Sequence, residues 1–172
     1  MMAPPDLQTL LDRAEEGLRR DGYLRPVLII EGRPVTAILD VAPLWGPTAA
    51  QRRLLLYRLG MLLGFGLDAI RAIAVFDGYQ RVDVGNAPKS LPASGSLEDD
   101  PDARDAIFVV EMKADGGSAL IQPYDKIVTL DGTTFVFEPA FAGDGFAASG
   151  TLAEFWRGLG EVEGIMRRGA ER

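Results

Sequence analysis

Residues 106–138 read AIFVVEMKADGGSALIQPYDKIVTLDGTTFVFE, and this stretch decides the fold class. Ala106 to Lys113, Ser118 to Tyr124, Lys126 to Leu130 and Thr133 to Glu138 are short runs rich in β-branched and aromatic residues. Between them, Asp115-Gly116-Gly117 and Asp131-Gly132 supply residues that tolerate the backbone angles of tight hairpin turns. The spacing predicts an antiparallel meander.

Upstream, Arg25 to Glu31 and Pro34 to Val41 are two β-prone runs separated by Gly32-Arg33, which predicts a hairpin. The first run is almost continuously apolar and so suits a strand covered on both faces. Ala69 to Phe76 predicts a third strand, closed by a turn at Asp77-Gly78.

Helical periodicity frames these strands. Leu7, Leu10, Leu11, Ala14 and Leu18 form one stripe, ending where Gly22 can take the left-handed cap conformation. Thr48-Ala49-Ala50-Gln51 has capping-box spacing and opens a second helix running to about Gly64. Leu54, Leu55, Leu56, Leu59, Met61, Leu62, Leu63 and Phe65 leave almost no polar face in its second half, so it is expected to be a buried central helix. Gly60 and Gly64 would let it approach a sheet closely. Past a glycine-rich loop at Ala142-Gly143-Asp144-Gly145, a last amphipathic helix is marked by Leu152, Phe155, Trp156, Leu159, Val162 and Met166.

The expected fold is therefore α+β. A single domain spans residues 1–172, with a mixed, mostly antiparallel sheet of about six strands. The buried central helix packs on that sheet, and the N- and C-terminal helices flank it. Residues 85–105 are rich in proline, serine and acidic side chains and predict a long flexible loop.

The chain has 172 residues, 47% of them hydrophobic, 25% charged, and a net charge of -7. That acidity repels a phosphate backbone and argues against broad nucleic-acid binding. No apolar run is long enough to span a bilayer and the start lacks the layout of a signal peptide, so no membrane association and a cytoplasmic location are expected. There is no histidine and no cysteine. A histidine base, a cysteine nucleophile and a zinc site built on those ligands are thereby excluded.

The opening order of helix, hairpin, helix and strand resembles the start of the zinc-dependent cytidine-deaminase and JAB-type isopeptidase folds. The metal-binding motifs of those enzymes have no counterpart here, because the chain lacks both histidine and cysteine. A relative of that kind would be inactive. A second resemblance is carried by Pro101-Asp102 with Glu111-Met112-Lys113, which is similar to the PD-(D/E)xK signature of a nuclease superfamily. It implies a divalent metal held by Asp102 and Glu111, with Lys113 supporting the attacking water in a nuclease or phosphodiesterase.

The first functional expectation is a non-catalytic interaction, assembly or regulatory protein, with no cofactor and with a protein partner or self-association. Phe155 and Trp156 are its candidate partner-binding residues, because aromatic side chains dominate interface hot spots. The metal-dependent nuclease is the alternative.

Overall fold

The computed structural model describes residues 5–33, 35–44, 48–64, 66–81, 93, 97–113, 116–144 and 154–161. In chain order the elements are α1 (Leu7–Asp21), β1 (Val27–Gly32), β2 (Thr36–Asp40), α2 (Ala49–Gly64), β3 (Ala69–Gln80), β4 (Arg104–Lys113), β5 (Gly116–Thr129), β6 (Gly132–Phe137) and β7 (Phe141–Asp144). Residues 154–161 form α3. No described helix is long and apolar enough to cross a membrane.

The strands run in the order β2-β1-β3-β4-β5-β6, and β7 lies beside the first half of β5. Every pairing among the described strands is antiparallel, so the expected mixed sheet carries no parallel pair. Successive side chains point to opposite faces of such a sheet, and here both faces of the middle strands are covered. Leu28, Ile30, Ala72, Ala106, Val110 and Met112 pack against Leu56 of α2 and Phe155 and Leu159 of α3. Ile29, Ile73, Val75, Ile107 and Val109, one residue out of step, pack against Leu10, Leu11, Ala14 and Leu18 of α1. Each buried leucine, isoleucine, valine or methionine among them contributes about 1.5–3 kcal/mol.

Local signals set the helix ends, and those at Gly22 and Thr48 are the ones the sequence implies. The Asp6 carboxylate accepts the Thr9 N–H at 2.7 Å, and Gly22 closes α1 at φ 76° with its N–H on the Leu18 carbonyl. The Thr48 hydroxyl accepts the Gln51 N–H at 3.2 Å at the start of α2.

Four expectations are corrected by tertiary contacts. Asp77-Gly78 is no turn but lies inside β3, opposite Ile107 and Ala106. The missing Cβ at Gly78 leaves room for the rings of Phe76 and Phe108, which stack 5.2 Å apart. Ser118 to Tyr124 and Lys126 to Leu130 belong largely to one continuous strand, β5, with Pro123 in its interior. The Glu138 N–H donates to the Pro123 carbonyl, so Pro123 turns its donor-less nitrogen to the side where the neighbour changes from β7 to β6. Phe141–Asp144 forms the edge strand β7, although its residues read as the start of a glycine-rich loop.

The fourth correction concerns α2, which is an outer-layer helix rather than a buried central one. Leu56 is buried, but Leu54 and Leu62 face solvent, the latter 72% exposed. Its Gly60 serves a helix and not the sheet. A Cβ there would land on the Phe155 carbonyl oxygen, and a Cβ at Gly158 of α3 would land on that of Tyr57. The two backbones thus touch through reciprocal glycines. Of the residues expected in the last helix, Leu152, Val162 and Met166 lie outside the described residues, as does most of the expected 85–105 loop.

Gly60→Ala and Gly158→Ala should each destabilise the protein by about 1–3 kcal/mol in denaturant unfolding, despite alanine's better helix propensity. A gain of stability in either variant would contradict the backbone contact.

Candidate functional site

The residues of the nuclease-like signature fall at two ends of one strand. Asp102 sits in the turn before β4, and Glu111 and Lys113 close that strand. Seven residue steps of unbroken strand, about 23 Å, separate Arg104 from Glu111. No reversal near Asp105 brings Asp102 and Glu111 together. Among the described residues no group of three or more acidic side chains is placed to hold a metal.

Glu111 is instead the centre of an ion-pair network. It is 7% exposed, on the α1 face of the sheet, and accepts from the Arg71 guanidinium. Its other oxygen takes the Ser118 hydroxyl and the Lys113 ammonium, each at 3.1 Å. Arg71 also reaches Glu31 at 3.7 Å, which carries the network across β1, β3, β4 and β5. Burial pushes the Glu111 carboxyl up, but Lys113, Arg71 and Ser118 outweigh it and hold the group below its ordinary value.

Phe155 and Trp156 pack inward. Phe155 is 0% exposed and Trp156 is partly buried against the same cluster of side chains under α2 and α3. Their area is used largely within the chain.

The other end of the sheet holds a different set of groups. Asp77 and Tyr79 of β3, Asp105 of β4, and Tyr124 and Lys126 of β5 share the α1 face by strand alternation. Tyr79 lies directly opposite Asp105, and Asp77 is its diagonal neighbour, about 7–8 Å away between Cα atoms. Desolvation, then the Asp105 charge, raises the Asp77 carboxyl above its ordinary value. Desolvation also raises Asp105, against the pull of Lys126. The phenols of Tyr79 and Tyr124 are raised by burial and then by Asp105. These residues are far apart in sequence, and their one readable signal is the i, i+2 spacing within β3 and β5.

On the opposite face of the same end, Gln80, Arg104 and Pro123 alternate with Tyr79, Asp105 and Tyr124. With Asp102, Glu138, Pro139 and Phe141 they line a cleft of about 310 Å³. Arg104 is clamped between Asp125 at 3.0 Å and Glu138 at 2.8 Å. Pro123, Pro139 and Phe141 give the cleft apolar wall, and Phe141 is 43% exposed. Asp102 therefore belongs to this cleft and not to a site with Glu111.

A nearly buried ion pair between Arg81 and Asp100 ties the end of β3 to the turn preceding β4. Asp100 also accepts the Asp102 N–H at 2.9 Å and so sets the rim of the cleft. The acidic run around Asp100 looks like a solvated loop in sequence, and nothing local marks Arg81 as its partner.

No family model, curated protein or solved structure matches this chain.

Two substitutions separate the ends. Glu111→Ala should cost about 1–3 kcal/mol in denaturant unfolding, because it leaves the largely buried Arg71 with only the more distant Glu31 as counter-charge. Glu111 is more acidic folded than unfolded, so its contribution is present above the unfolded value and lost as pH falls through the folded one. A Glu111→Ala protein of unchanged stability that loses metal binding would instead support the nuclease-like site.

Asp77→Asn should act the other way. The folded carboxyl is raised, so ionising it costs stability as pH climbs above the unfolded value of about 3.9. Thermal melts of Asp77→Asn should show a higher midpoint at pH 7 and no gain below about pH 4. A lower midpoint at pH 7 would contradict the desolvated pair.

Proposed function

We propose that this chain is a non-catalytic interaction protein whose docking surface is the end of the sheet built from Gln80, Asp102, Arg104, Pro123, Glu138, Pro139 and Phe141. One observation carries the reading. The cleft joins apolar wall from two prolines and a half-exposed phenylalanine to a charged rim, and its apolar character continues onto exposed Val136 and Ile127 of the β5–β6 hairpin. An apolar centre with a polar rim is the layout of a protein–protein contact.

The charge balance favours a basic partner. Asp125 and Glu138 outnumber Arg104 around the cleft, and Asp77 and Asp105 outnumber Lys126 on the reverse face. A polypeptide segment with apolar anchors and basic flanks is the complementary ligand. At about 310 Å³ the cleft accommodates one or two side chains and not a whole domain.

A random-peptide display selection on the purified protein tests this. The expected outcome is enrichment of basic-apolar peptides whose binding is lost in Phe141→Asp and kept in Ile38→Asp, a change on the far edge strand. Failure to enrich any peptide, or binders indifferent to Phe141→Asp, would remove the cleft as the docking surface.

A further inference from the structure

We infer that β6 is a dimerisation edge and that it pairs with β6 of a second copy of this chain, antiparallel about a two-fold axis at Phe135. The inference rests on the reading of this end of the sheet as a docking surface and names one occupant for its outer border.

Three observations support the second copy. First, the distal half of the β5–β6 hairpin is nearly bare on both faces. Residues 125–134 are all exposed, Ile127 by 48% and Val128 by 71%. A two-stranded ribbon without cover is marginal in water, and pairing two of them produces four strands.

Second, β6 lacks what ordinarily blunts an edge. Gly132-Thr133-Thr134-Phe135-Val136-Phe137 contains no charge and no proline, and its register against β5 runs without a bulge. Thr133, Thr134 and Val136 are exposed. The opposite edge, β2, is shorter and ends on Asp40, which is engaged with Arg25.

Third, the register is self-complementary. The Glu138 N–H bonds inward to Pro123, which fixes the alternation. Thr134 and Val136 bond to β5, while Thr133, Phe135 and Phe137 turn their N–H and C=O outward. An axis at Phe135 sets Phe135 against its own copy and Thr133 against Phe137, so all three outward residues find hydrogen-bonding partners. Thr134 then lies beside Val136. Asp131 and Glu138 fall opposite Pro139 and Gly132, so no carboxylate meets a carboxylate although each copy carries -7. The Asp125 and Lys126 positions of the two copies lie three strand spacings apart, about 14 Å, beyond the range of unscreened repulsion in physiological salt.

Sedimentation of the full chain across micromolar to submillimolar concentration tests the inference. Wild type should pass from monomer to dimer. Thr133→Pro removes an outward N–H without touching the β5 ladder, and the two-fold removes it twice. Its dissociation constant should therefore rise about tenfold or more, with an unchanged circular dichroism spectrum. Thr134→Asp, a side-chain change at the seam, should weaken the dimer likewise, and Ile38→Asp on β2 should leave it intact. A strict monomer, or a dimer indifferent to both β6 variants, would overturn the inference. A monomer that still selects peptides at Phe141 would overturn the dimer alone and leave the cleft standing.

Discussion

Among the described residues, helical cover runs out before the sheet does, and the rest of the molecule follows from that mismatch. α1 on one face, and α2 with α3 on the other, bury alternate residues of β1, β3, β4 and the first half of β5. Strand alternation makes both faces of those strands apolar, so both must be covered. The tight crossing of α2 and α3 at Gly60 and Gly158 brings Phe155 and Leu159 onto the sheet, and it also narrows what the helical layer can cover. Beyond Tyr124 the described helices give β5 and β6 little cover, and the cleft, the exposed aliphatic side chains and the outer edge of β6 all collect there.

The two ends of the sheet also differ in how charge is handled. Around Glu111, each charge has a counter-charge within reach, and the carboxyl is held ionised despite burial. That is the signature of a structural network. At the other end Asp77 and Asp105 sit close on one face and are both raised by desolvation, so ionisation there opposes folding. Groups that cost stability and remain accessible are where binding chemistry concentrates. The Arg81–Asp100 pair closes this end and positions the turn that carries Asp102.

Much of the architecture was legible because its signals are local. The capping residues Gly22 and Thr48 act within a few positions, and the almost continuous apolar run Val27-Leu28-Ile29-Ile30 directly specifies a strand covered on both faces. What failed to read was set by partners distant in sequence. Asp77-Gly78 has turn composition, but ten consecutive pairs with β4 keep it extended. The leucines of α2 hide which side faces out, because no polar stripe distinguishes Leu54 and Leu62 from Leu56. The spacing of Asp102, Glu111 and Lys113 mimics a metal site in sequence, and the straightness of β4 separates its parts. The cleft unites residues 80, 102, 104, 123, 138, 139 and 141, a combination with no sequence periodicity to betray it.

The β6 border is proposed as a binding edge and not merely an exposed one. Residue-resolved hydrogen exchange of the β6 amides, followed as protein concentration rises, reads this directly. Thr134 and Val136 donate to β5 and should be protected at every concentration. Thr133, Phe135 and Phe137 should exchange freely in dilute solution and gain protection together as concentration rises. Outward amides that exchange at the same unprotected rate throughout, or that are protected even at the lowest concentration, would contradict the account.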